Sequence, residues 1–134
     1  MQNSEQCFCI RGRGVRGFCV CVVRCCDYSN DLTPRAKYPK GSDLYVPTLV
    51  QYGASIGANA TIVCGNKIGK WAMIGSGAVV TSDVPNHALM IGVPARQHGW
   101  VCECGQVLNE SLCCPGCSRA YIESNGTIEK VVRE

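Results

Sequence analysis

The residues best suited to chemistry lie near the end of the chain, where Cys102-Glu-Cys104 and Cys114-Pro-Gly-Cys117 are separated by nine residues. Two close cysteine pairs across a short loop can aim four thiolates at one Zn²⁺ in tetrahedral geometry. Gly105 and Pro115-Gly116 supply the turns such a site needs. Cys113 competes with Cys114 for one position, and CxC is a less usual knuckle than CxxC, so the fourth ligand stays open. Four thiolates leave no coordination position free, which makes the expected metal structural. Downstream, 119–122 and 127–132 flank Ser-Asn-Gly and read as a β-hairpin. The whole reads as a zinc ribbon over residues 99–134, a size that needs a staple. The alternative is a frayed tail with reduced thiols. A disulfide pair suits a cytosolic compartment poorly.

The element before this tail is set by a beat of six. Aliphatic residues fall at Val50, Ile56, Ile62, Ile68, Ile74 and Val80 without a slip. Two places before each of the last five stands Ala54, Ala60, Asn66, Ala72 or Ala78, and Gly57, Gly69 and Gly75 follow their aliphatics. A helix repeats its apolar face every three or four residues and a half-buried strand every two. A fixed period of six instead describes one short strand plus one bend, three of which close a triangular coil. Coils then stack at the spacing of hydrogen-bonded strands, roughly 4.8 Å. Gly, Asn59 and Asn66 suit bends that need positive φ. Val50 to Pro85 reads as two full coils, and Cys64 as a small packing residue.

The run ASIGANATIVCGNKIGKWAMIGSGAVVTSDVPNHALMIGVPAR resembles the hexapeptide-repeat acyltransferases. NDLTPRA followed by PTLVQYGASIGANATIVCG is most similar to their UDP-2-acetamido-3-amino-2,3-dideoxyglucuronate N-acetyltransferases of surface-polysaccharide pathways. The resemblance covers about residues 28–134. It implies an all-β fold, a left-handed parallel β-helix over 28–98 with an outward loop at 28–47 and the small zinc-ribbon-like appendix behind it. It further implies a homotrimer, acetyl-CoA as co-substrate and a nucleotide-sugar acceptor. Some relatives carry a similar Cys-rich tail, which supports the zinc reading with Cys102, Cys104, Cys114 and Cys117 as ligands.

In related transferases the active site lies between neighbouring β-helices, with polar groups from an outward loop. O-acetyltransferases of this fold carry a His there as general base, whereas this chain has Ser29-Asn30-Asp31. A hydroxyl acceptor needs a base, but a neutral amine is already nucleophilic. The resemblance therefore implies that Asn30 orients acceptor and acyl group, while Asp31 accepts a proton or holds the ammonium form. Arg35 can bind a uronate carboxylate or a diphosphate through two parallel bonds, and Lys37 and Lys40 are weaker versions of the same idea. Gly75, Ser76, Gly77 and Ala78 are small enough for the pantetheine arm to approach, and an amide there can meet a developing oxyanion. Lys67, Lys70 and Arg96 are cations for the cofactor phosphates, with Arg96 in the family's closing phrase Pro-Ala-Arg. His87 is expected at the surface after the last coil, and Trp71 in a trimer or tail contact.

With 13 basic and 10 acidic residues the chain carries a net charge of +3, too mild to argue for nucleic acid. Phe18 to Val23, bounded by Arg16 and Arg24, is too short to span a bilayer, and no clean signal-peptide core appears. The reading is a cytoplasmic protein without a membrane span. Residues 1–27 are an atypical Cys/Arg-rich segment without the six-beat. It is expected to be a poorly conforming coil, a disordered cap or a segment read out of frame, and the start to be truncated or divergent. On the last readings the rival function is a non-catalytic remnant that keeps fold and zinc.

Overall fold

A computed structural model describes Cys21–Val22 and residues 27–132. Most of the front segment, residues 1–20 and 23–26, and the expectations placed on it lie outside the described residues.

Each hexad contributes a strand of only two residues, and the second residue is the one the core takes. The strands are β1 (Cys21–Val22), β2 (Asp27–Tyr28), β3 (Leu49–Val50), β4 (Ser55–Ile56), β5 (Thr61–Ile62), β6 (Lys67–Ile68), β7 (Met73–Ile74) and β8 (Val79–Val80). Ser55 pairs with Met73, Thr61 with Val79 and Leu49 with Lys67, all in parallel and all eighteen residues apart. Three hexads thus close one coil, and three sheets form the sides of a prism. Two of the sides are β2-β5-β8 and β3-β6, and the latter is extended by a bridge from Ile68 to Val84. The other side is β1-β4-β7-β9-β10, where β9 is Ala88–Ile91 and β10 is Arg96–Trp100.

Inside the prism the aliphatics stack in columns. Ile56 lies over Ile74, Ile62 over Val80 and Val50 over Ile68, each at most 1% exposed. The alanines two places earlier, Ala54, Ala60, Ala72 and Ala78, are equally buried, so each fits where the coil narrows. Positive φ recurs every six residues, at Gly53, Asn59, Gly65, Trp71 and Gly77. Asn59 takes this conformation as its residue type suggests, but at the next corner Gly65 takes it in place of Asn66. The glycines after the aliphatics answer a different need. A Cβ on Gly57 would lie 2.6 Å from the Ser76 nitrogen in the coil below, so backbone approach between coils excludes a side chain there. Trp71 lies over Gly53 and meets Tyr52 edge-on with centroids 5.3 Å apart.

Two pieces of the front segment join the ladders. Cys21 pairs with Ser55 and Asp27 with Thr61, an offset of thirty-four rather than eighteen. The surplus is the segment between β2 and β3, which leaves the prism at one corner and returns. Its ends are tied by Ser29 N–H to the Ile62 carbonyl (3.1 Å) and Val46 N–H to the Asn30 carbonyl (2.9 Å).

Behind the coils, β9 adds to the β7 edge in parallel and turns back antiparallel as β10. The chain then enters the cysteine-rich unit, which ends in a hairpin of β11 (Tyr121–Ser124) and β12 (Thr127–Lys130) around Asn125-Gly126, both at positive φ. The unit has its own small core of Cys102, Leu108, Cys114, Tyr121 and Ile128, and Trp100 packs against both cores. Among the described residues, no helix is long and apolar enough to cross a membrane.

Replacing Gly57 by Ala should destabilise the chain by about 1–3 kcal/mol in urea titration, because the added methyl has only backbone to displace. Ser76→Ala, at an exposed position on the same corner, should stay within about 0.5 kcal/mol. An unchanged midpoint for Gly57→Ala would contradict the inter-coil contact.

Candidate functional site

The four cysteines singled out by spacing meet in space. The sulfurs of Cys102, Cys104, Cys114 and Cys117 all lie within 4.8 Å of one another. Cys102 and Cys117 approach to 3.4 Å, as do Cys104 and Cys114. Ligands 2.3 Å from one metal at tetrahedral angles sit roughly 3.8 Å apart, so this set has the size of a four-thiolate site. Cys114 fills the position that the sequence left open. Its neighbour Cys113 is not part of the cluster, and its backbone bridges to Ala120.

The surroundings favour negative charge on part of this set. Burial pushes the Cys102 thiol up, but hydrogen bonds from the Cys104 backbone, the Tyr121 hydroxyl and the neighbouring thiols bring it down to about 6. Cys114 is lowered too: burial opposes this, and the Cys117 and Gly116 N–H groups outweigh it. The Gln106 N–H lowers the Cys104 thiol, yet its contact with the Cys114 thiol and burial push it up to about 12. Arg119 Nη1 donates to Cys117 Sγ at 3.1 Å, and Tyr121 Oη to Cys102 Sγ at 3.2 Å. Such donors to ligand sulfur are what a thiolate site uses to hold its charge.

His87 is a correction. The turn after the last coil reads as surface, but His87 is only 6% exposed. Its Nδ1 lies 2.9 Å from the Val101 carbonyl, to which a neutral ring donates, and Tyr121 meets it edge-on at 5.0 Å. Burial lowers its pKa. The arrival of the cysteine-rich unit covers the turn, and the local sequence carries no sign of that cover.

The remaining candidates occupy separate corners of the prism. The β2–β3 loop holds Asn30, Asp31, Arg35 and Lys37. Asn30 is exposed, and its carbonyl closes the loop. Asp31 is committed: Lys40 Nζ lies 2.5 Å from its carboxylate and the Thr33 N–H donates to it at 2.8 Å. The Lys40 bond and then the Thr33 bond lower its pKa, which makes Asp31 a poor base. Lys40 also reaches the Thr33 carbonyl and hydroxyl, so it serves the loop. Arg35 is exposed and bonds only the Pro34 carbonyl among the described residues. Lys37 extends over Tyr38.

Gly75–Ala78 form the corner between β7 and β8, and Lys70 stands at the corner between β6 and β7. Three of the four Gly75–Ala78 amides are spent: Gly75 donates to Met90, Gly77 to Ala58 and Ala78 to Gly75. Ala78 is buried, so it offers a ligand no side chain. The Ser76 N–H has no acceptor among the described residues. Arg96 opens β10, exposed, beside the segment that covers β8 through Val79 N–H to Gly92 and Ala95 N–H to Val79. Within one chain, then, loop and small-residue corner are not brought together.

Two open grooves that sequence reasoning missed run along the β3/β6 side. The larger, about 460 Å³, is lined by Pro47, Thr48, Leu49, Asn66, Lys67 and Asp83. The other, about 340 Å³, continues past Lys67 and Asp83 to the hairpin turn at Asn125. Of their lining residues the sequence singles out only Lys67 for binding, as a cation for phosphates.

No family model matches the chain. It is 45% identical over 89 residues to a dTDP-3-amino-3,6-dideoxy-alpha-D-galactopyranose 3-N-acetyltransferase of Aneurinibacillus thermoaerophilus, an alignment spanning 63% of this chain and 45% of that protein. A 2,3,4,5-tetrahydropyridine-2,6-dicarboxylate N-acetyltransferase of Staphylococcus aureus is 44% identical over 50 residues, 37% of this chain and 21% of that one. Among solved structures, the serine acetyltransferase of Neisseria gonorrhoeae superposes with a TM-score of 0.53 at 26% identity, covering 66% of this chain and 32% of that one. The beat, the eighteen-residue register and these matches give the chain the left-handed β-helix as its fold, and its repeat region is similar to that of hexapeptide-repeat acetyltransferases. The chain spans less than half the length of these relatives.

Asp31→Asn should free Lys40 and loosen the loop. Trypsin cleavage after Arg35 and Lys37, followed by mass spectrometry, should accelerate several-fold while thermal melting barely moves. The lowered Asp31 pKa gives the sign with pH. The brace is complete above the ordinary carboxylate range and is lost as pH falls through the lowered value. Unchanged cleavage at both sites would show that the ion pair does not hold the loop.

Proposed function

We propose that the protein transfers an acetyl group from acetyl-CoA to the amine of a nucleotide-linked 3-amino sugar, and that copies of the chain build the site together as a homotrimer. The observation that carries this reading is the match, at 45% identity, to a protein named as a 3-N-acetyltransferase of a dTDP-linked 3-amino sugar. The loop chemistry agrees. Asn30 presents an exposed amide and no histidine stands beside it, which suits an amine acceptor that needs orientation more than a base.

In this reading Asn30 orients the amine, and Asp31 with Lys40 holds the loop that carries it. Arg35, free of a carboxylate partner among the described residues, takes the diphosphate or a sugar carboxylate, with Lys37 beside it. The Gly75–Ala78 corner of a neighbouring copy receives the pantetheine arm, and the Ser76 N–H meets the developing oxyanion. Arg96, Lys70 and Lys67 face the cofactor phosphates. The amine forms an N–C bond to the acetyl carbonyl, the oxyanion collapses, the C–S bond breaks, and the amine proton ends on the CoA thiolate. Holding the two reactants in line supplies much of the rate. Cys102, Cys104, Cys114 and Cys117 hold one structural zinc ion, which takes no part in the transfer. The setting is the cytoplasm, where acetyl-CoA and nucleotide sugars are made.

Incubation with acetyl-CoA and a panel of nucleotide-linked amino sugars, read by mass spectrometry, should give an acetylated 3-amino sugar. Preference for a uronate over a 6-deoxy sugar would assign Arg35 to the carboxylate. Asn30→Ala should lower kcat by about 10–100-fold with the melting temperature unchanged. Arg35→Ala should raise the acceptor KM and leave the acetyl-CoA KM alone. Full turnover in Asn30→Ala would remove Asn30 from the site, and no acetylation of any 3-amino sugar would overturn the function. Protein purified without chelator should contain about one zinc per chain by elemental analysis, and none would overturn the metal assignment.

A further inference from the structure

We infer that the four-cysteine site is the clasp on the open end of the β-helix, with Tyr121 as the residue that passes its state to the buried turn at His87. This rests on the metal reading above, and three sets of contacts carry it. Val101 and Cys102 are adjacent in the chain, and Val101 is bonded twice to His87: its N–H to the His87 carbonyl at 2.8 Å and its carbonyl to the ring at 2.9 Å. Tyr121 is 4% exposed, its hydroxyl donates to the Cys102 sulfur and accepts the Glu103 N–H, and its ring packs on His87. Trp100 belongs to the apolar contacts of both the prism and the cysteine-rich unit.

The consequence reaches the coil. The His87 N–H closes on the Lys70 carbonyl, and Ala88 starts β9, the strand that covers β7. Chain beyond β9 also covers β8, through the Gly92 and Ala95 bonds to Val79. A unit with five buried core residues cannot hold itself without its staple. Loss of the metal therefore releases Tyr121 and Val101 together, unseats His87, and frays the end of the prism next to the Gly75–Ala78 corner.

The test is hydrogen exchange by mass spectrometry on the full chain, loaded with zinc or stripped by a chelator, with bound zinc measured in parallel. Stripping should speed exchange at least tenfold both in 101–130 and in 86–97, and leave 54–70 unchanged. Faster exchange confined to 101–130 would overturn the coupling while leaving the metal site intact. Failure to bind zinc at all is read separately by the elemental analysis, and it would remove both the site and the clasp. In zinc-loaded Tyr121→Phe, one zinc should remain bound while amides 86–88 lose protection several-fold. Wild-type protection there would remove Tyr121 from the link.

Discussion

The structure depends on one constraint: the residue eighteen places on must lie directly below. Ile56 on Ile74 and Ile62 on Val80 satisfy it with side chains, and Gly57 N–H to the Ile74 carbonyl at 2.8 Å satisfies it with backbone. A two-residue strand is too short to be stable by itself. Here it survives because each hexad is paired above or below and because its aliphatic is removed from water on all sides. The stacked coils also anchor the β2–β3 excursion at one corner, through Ser29 N–H to the Ile62 carbonyl and Val46 N–H to the Asn30 carbonyl.

That constraint also decided what could be read from sequence. The beat from Val50 to Val80 is visible because it is carried by aliphatics and by glycines, of which Gly57 and Gly69 stand where a Cβ would meet backbone at 2.6 Å. The coil position of β1 and β2 was not visible. Their offset to the next coil is thirty-four, so the loop breaks the phase of the repeat before it reaches them. The cysteine cluster was legible from spacing, but preferring Cys114 to Cys113 required the positions of the sulfurs in space. The burial of His87 was not legible at all, because it is imposed by Tyr121, thirty-four residues later. Asp31 was marked for its charge, while its partner Lys40, which sets its role, was read only as a spare cation.

The placement of the candidate residues explains why a single chain cannot settle its own chemistry. The loop springs from the corner between β2 and β3, and the small residues occupy the corner between β7 and β8. In the proposed reading an amine and a thioester must come within bonding distance, so one copy's loop would meet another copy's corner. The groove beside Pro47, Lys67 and Asp83 lies on the side that follows the loop.

The central claim is therefore that the site exists only between copies. Its most direct test is the solution mass of the purified full chain by light scattering after size exclusion. The account predicts a single species of three copies of the 14.4 kDa chain. A monomer at working concentration would contradict it, since the loop and the corner would then never meet.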